Sequence, residues 1–148
     1  MVARTIDAIA VRGEGVFLLL GRLAIAALFV PSGLNKLLDL VDKLGHTGFE
    51  QLLAARGLPV PAAWAWAAAL VEFLGGLALA IGFKTRFVAL LLIAFTIVAT
   101  GLAHVFWTIA EPVEHFRQSV NFFKNLAIVG GLLFVFVRGA GPISIDRR

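Results

Sequence analysis

The sequence predicts an all-α integral membrane protein: a bundle of four spanning helices with a short interfacial helix in its first outer loop. Three observations carry this. Of 148 residues, 60% are hydrophobic with glycine left out of the count and only 15% are charged, and mean hydropathy is +0.95. A soluble domain is about 45–50% apolar even with glycine counted, and about 25% charged, and so small a domain leaves a large share of its surface wet. Four segments are each long enough to cross a bilayer, which takes about 20 mostly apolar residues. These runs lack the alternation of barrel strands, and lipid cannot satisfy the edges of an open sheet. Composition thus excludes a soluble enzyme, a disordered chain, a coiled coil and a disulfide scaffold.

The elements follow in order. The basic start and apolar run at the N-terminus have the outline of a signal peptide, but Arg22 interrupts the run and no clean small-residue cleavage site follows. We read an uncleaved first span over Val16–Leu38. In the loop after it, Thr47 and Glu50 stand in capping-box spacing, and Gly57 then Pro59 supply a stop. Between them Phe49, Leu52 and Leu53 form an apolar stripe at helical spacing, which predicts a short helix lying on the interface or lidding the bundle. The remaining spans are read over Ala62–Gly82, Arg86–Ile109 and Ser119–Arg138. Trp64, Trp66 and Trp107 fall near the outer boundary, as aromatic belts do. Connections are short, no repeat is evident, and residues 1–148 are read as one domain.

Charge sets the expected orientation. The N-terminus, the second loop and the C-terminus share a side that carries Arg4, Arg12, Lys84, Arg86, Arg138, Arg147 and Arg148. The other side has Lys43, Arg56 and Arg117, diluted by Asp39, Asp42, Glu50, Glu111 and Glu114. The positive-inside rule then places both termini in the cytoplasm. The net charge of +4 and pI near 10.4 do not indicate a nucleic-acid partner, because no Lys/Arg run supports one. With no cysteine in the chain, disulfides, thiol redox chemistry, iron–sulfur clusters and thiolate zinc sites are excluded.

Charges inside a span cost at least about 2.5–3.5 kcal/mol each and normally face the protein interior. Arg22, Lys36, Glu72 and Lys124 lie within spans, with His104, Asn35, Asn121 and Asn125. On the first helix Arg22, Phe29, Gly33 and Lys36 share a narrow arc. Glu72 shares its face with Ala65, Ala68, Ala69, Gly75 and Gly76, small residues that allow close helix approach. Thr96, Thr100, His104 and Thr108 form a drifting stripe on the third helix, and Asn121, Lys124 and Asn125 open the fourth. These faces are expected to meet in a pocket open toward the outside and floored by Glu72, with Arg22 beneath. The favoured reading of Arg22 and Glu72 is a structural ion pair; the alternative is a proton path or ligand clamp. Lys36 either joins the pocket or snorkels to outer headgroups, and Lys124 awaits a ligand or a carboxylate. Asn121 and Asn125 are read as interhelical hydrogen-bond donors. His104 has no second intramembrane histidine, so no metal site is expected, and His46 and His115 reach it only if their loops fold inward.

These residues resemble the DoxX family of small four-helix bacterial membrane proteins. The resemblance rests on Arg22, then Ser32-Gly33-Leu34-Asn35-Lys36, Gly57-Leu58-Pro59, Glu72-Phe73-Leu74-Gly75-Gly76, and Gly82-Phe83-Lys84-Thr85-Arg86. His104, Asn125 and the tail Gly141-Pro142-Ile143-Ser144-Ile145-Asp146 complete it. It implies an inner-membrane location and a recurring polar set of Arg22, Lys36, Glu72 and His104. It also implies a link to redox systems, since members are labelled as oxidoreductase or quinol-oxidase subunits.

Without Cys, Tyr or a second intramembrane His, the chain holds no intrinsic redox cofactor. A quinone suits the expected pocket, with His104 and Lys124 donating to its carbonyls, Arg22, Lys36, Asn121 and Asn125 as further ligand contacts, and Glu72 accepting a proton. The leading reading is a quinone- or quinol-binding membrane subunit serving a redox-enzyme partner. The alternatives are a non-catalytic anchor or assembly factor, and a transporter of a small anion or metabolite. Gly76/Ala80, Ala99/Ala103 and Ala127/Gly131 stand in small-xxx-small spacing, which packs helices within the monomer or mediates a homo-oligomer.

Overall fold

A computed structural model describes residues 2–42 and 48–147. The described residues are helical with no strand: α1 Val2–Arg12, α2 Glu14–Asp42, α3 Gly48–Ala55, α4 Pro61–Ile81, α5 Thr85–Ala103, a 3-10 turn Phe106–Thr108, and α6 Pro112–Arg138. Four helices are long and apolar enough to cross a membrane. Large apolar side chains such as Phe87, Ile97, Val98 and Phe134 are more than half exposed, which suits acyl chains and not water.

Several boundaries differ from the sequence reading, and each has a local cause. The fourth span starts at Pro112 rather than Ser119, because Glu111 caps it: its carboxylate accepts from the backbone N–H groups of Val113 and Glu114 at 3.0 and 2.6 Å. Proline at the first helical position suits that start. The third span keeps close to its expected bounds, running Thr85–Thr108, but its α-helix stops at Ala103, where His104 leaves helical geometry and Phe106 packs edge-on against Trp107, Phe122 and His115. The first span runs on to Asp42. The N-terminal helix α1 was not anticipated; its side chains are exposed and it abuts α2. The predicted loop helix is present as α3; Thr47 of its capping box, with Lys43 and His46, lies outside the described residues.

α2 and α4 run antiparallel in close contact, and glycine sets their spacing. A Cβ on Gly33 would lie 2.4 Å from the Phe73 nitrogen and 2.9 Å from the Ala69 oxygen. One on Gly76 would lie 2.8 Å from Val30 Cγ2 and 3.0 Å from Phe29 Cβ. The face of α4 read from the sequence is the buried one: Ala65, Ala68, Ala69, Glu72, Gly75 and Gly76, followed by Leu79. Gly76 thus packs within the monomer, and so does Gly131, against Ile25. α5 and α6 form the second close pair, while α2 and α6 touch little. One apolar core, around Phe29, Leu79, Leu92 and Leu132, fills the half of the bundle near the termini. A smaller one, Leu40, Leu53, Ala65 and Ala69, lies under α3 at the opposite end.

Arg22 closes the terminal end. Its Nη1 donates to Leu79 O at 3.1 Å and Ala80 O at 2.8 Å, and its Nη2 to Ile143 O at 2.6 Å. Leu79 and Ala80 belong to the last turn of α4, where carbonyls run short of intrahelical partners, and Ile143 belongs to the tail. The rest of the α4 terminus is satisfied too. Gly82 has φ 69°, and Phe83 N–H returns to Ala78 O at 2.9 Å in a Schellman turn. The tail supplies Ile145 N–H to Ile81 O and Asp146 N–H to Gly82 O. The Asp146 carboxylate then accepts from Lys84 N–H at 2.9 Å and Thr85 N–H at 2.7 Å, capping α5 from far along the chain.

Candidate functional site

Glu72 sits midway along α4, 8% exposed, where its alanine and glycine neighbours bring α2 close. Its partner is Lys36, not Arg22: Lys36 Nζ lies 2.6 Å from Glu72 Oε2. Ser32 Oγ donates to the same oxygen at 2.9 Å and accepts from Lys36 Nζ at 2.8 Å. The expected Arg22–Glu72 pair is therefore overturned, as is snorkelling by Lys36. The close packing of Gly33 and Gly76 fixes the reason. In that register Glu72 is level with Gly33 and Lys36, while Arg22 is level with the end of α4, about 10 Å away along the helix.

A cavity of about 470 Å³ opens beside this pair. Its polar lining is Ser32, Lys36, Glu72, Thr96, His104, Lys124 and Asn125; its apolar wall includes Leu28, Phe29, Phe95 and Ile128. Phe49, Leu52 and Leu53 of α3 also line it, so this helix covers one side of the cavity. Of the residues singled out from sequence, Glu72, His104, Lys36, Lys124 and Asn125 meet here. Arg22 does not, and Asn121 touches the site only through Lys124, whose Nζ donates to Asn121 Oδ1 at 2.9 Å. Lys124 has no acidic partner among the described residues. Asn125 Nδ2 donates to Thr100 Oγ1 at 2.9 Å, an α5–α6 hydrogen bond of the kind expected. The drifting threonine stripe is buried at Thr96 and Thr100.

His104 is oriented by residues the sequence reading did not single out. Gln118 Nε2 donates to Glu114 Oε1 at 2.6 Å, which leaves Gln118 Oε1 facing His104 Nδ1 at 2.6 Å. That oxygen only accepts, so Nδ1 carries the hydrogen and neutral His104 keeps a lone pair on Nε2. Nε2 is then the ring nitrogen that faces a ligand, and in the neutral ring it accepts, whereas the sequence reading has His104 donating. The i, i+4 spacing of Glu114 and Gln118 on α6 was the available signal. His115 stays outside the cavity, its ring nitrogen 3.2 Å from Ile109 O.

This is an integral-membrane four-helix bundle built around an ionisable cavity. The chain belongs to the DoxX family, whose profile matches residues 17–105. It is 32% identical over 133 residues to the inner membrane protein YphA of Escherichia coli, covering 90% of each chain. It is 36% identical over 137 residues to the inner membrane protein YqjF of the same organism, covering 90% of this chain and 92% of that protein. A Surfeit locus protein 4 homolog of Schizosaccharomyces pombe is 35% identical over 105 residues, 68% of this chain and 33% of that protein. No solved structure gives a significant match.

Proposed function

We propose that the chain is an inner-membrane subunit that binds a quinol or quinone for a redox-enzyme partner. One observation carries this reading: a cavity of about 470 Å³ lined by ionisable groups and by apolar side chains together, beside two helices, α2 and α6, that touch little. The volume is that of a small-molecule site. α2 and α6 meet at Ile25 and Gly131, below the cavity, which leaves an apolar tail a path to lipid above. A quinol supplies a two-electron, two-proton couple; the chain supplies the proton chemistry. Lys124 donates to one oxygen of the head. His104 Nε2 accepts from a hydroxyl, and Glu72 keeps Oε1 for a second proton, because its hydrogen bonds within the described residues all use Oε2. The hydrogen-bonding preference is thus for the reduced form.

The inner-membrane assignment is supported by the names of the two E. coli relatives. Cytoplasmic termini are supported by the basic residues Lys84, Arg86 and Arg138 gathered at the end where the chain starts and stops. The test is calorimetric titration of the purified protein with short-chain quinol and quinone. Saturable binding, tighter for the quinol and weakened about tenfold by His104→Ala or Lys124→Ala, is expected. Absence of saturable binding by either form overturns the reading.

A further inference from the structure

Ser32 and Lys36 line a second hollow besides the cavity. It measures about 410 Å³ and is bounded by Ser32, Asn35, Lys36, Leu38 and Asp39 of α2. The polar members recur at helical spacing, so they form one stripe from the level of Glu72 toward the end of the bundle opposite the termini. Asn35 and Asp39 are exposed. A spanning helix has no reason to show this stripe to acyl chains, since each polar group there lacks water. In the other direction the way is shut: Phe29, Leu92 and Leu132 are packed core, and beyond them Arg22 is fully buried in backbone carbonyls.

We propose that this stripe is a one-sided proton route, by which Glu72 exchanges protons with water on the face opposite the termini and not with the other face. The inference deepens the reading of the same cavity and rests on it for the proton donor. Only a proton moves. Glu72 takes it from a ligand hydroxyl, leaving a neutral carboxylic acid beside the Lys36 ammonium. Loss of one proton from that pair to water in the groove restores carboxylate and ammonium. The other ionisable groups of the cavity, His104 and Lys124, line its α5 and α6 sides and stand away from the stripe.

The native chain contains no cysteine, so single cysteines report water access directly. A thiol reacts as thiolate, which forms only where water reaches it. Asp39→Cys, Asn35→Cys and Ser32→Cys are treated with a membrane-impermeant, cationic methanethiosulfonate in sealed vesicles of each orientation, scored with an N-terminal tag. All three should react from the face opposite the termini, about tenfold or more faster than Leu34→Cys, which is exposed on the same helix but outside the hollow, and none from the face of the termini. Equal rates at Asn35→Cys and Leu34→Cys, or faster reaction from the face of the termini, overturn the proposal. Asn35→Cys breaks no hydrogen bond of the Glu72 cluster, which guards against misfolding of the Ser32 variant. No quinol enters this assay, so a dry stripe with saturable quinol binding removes the route alone, and a wet stripe without binding removes the occupant alone.

Discussion

Lys36 and Glu72 join α2 to α4 through a 2.6 Å ion pair whose carboxylate oxygen also accepts from Ser32. With the two side chains only 24% and 10% exposed, removing one partner strands a charge in a poorly hydrated place. Lys36→Met should therefore cost about 3 kcal/mol of stability. The double variant Lys36→Met/Glu72→Gln should recover most of that loss, because an ion pair is often replaceable by packing. Thermal unfolding in detergent measures both, and additive losses would show that the pair is not coupled.

Arg22 should behave differently. Its fork holds carbonyls of Leu79, Ala80 and Ile143 together, a geometry an ammonium cannot copy. Arg22→Lys should loosen the tail and Arg22→Met release it, with a cost of about 2–3 kcal/mol from stranded carbonyls. Cleavage of the tail by added protease is the readout. Glu72→Gln should leave the tail protected, and equal cleavage in both variants would contradict the assignment.

At the helix crossing, Gly33→Ala sets a methyl against the backbone of Phe73 and Ala69, which cannot yield as a side chain can. A loss at the upper end of the roughly 1–3 kcal/mol range for overpacking is expected. Gly21→Ala on the same helix meets nothing within 4 Å and should be neutral or stabilising by about 0.5–1 kcal/mol. Chemical unfolding of the two variants side by side gives the contrast.

Gln118→Ala removes the acceptor that fixes the His104 tautomer. Quinol affinity should fall about fivefold, the worth of one hydrogen bond of about 1 kcal/mol, and the preference for quinol over quinone should narrow. Titration with both forms checks this. An unchanged ratio would mean that Gln118 does not govern the ring.

Much of this arrangement was legible before any coordinates. Small residues around Glu72 marked the inward face of α4, because only a close crossing has use for that many alanines and glycines in a span. The partner of Glu72 was not legible. Helical periodicity gives the angle of a side chain around its own axis and says nothing of the vertical offset between two helices, which the Gly33 and Gly76 contacts decide. The start of α6 was misplaced because hydropathy tracks lipid contact, whereas Glu111 and Pro112 set the first turn in a polar stretch. His104 was found by its depth, but its orientation depends on Gln118 and Glu114, residues too ordinary in a loop-proximal stretch to stand out.

Asp146 caps a helix that begins 61 residues before it. During synthesis the hairpin of α4 and α5 must enter the membrane with that first turn bare, and Arg22 must wait with one arm of its guanidinium unfilled. Only when the ribosome has delivered Ile143 and Asp146 can both be completed, so this step of assembly takes place at the membrane surface, after α2, α4, α5 and α6 are already threaded.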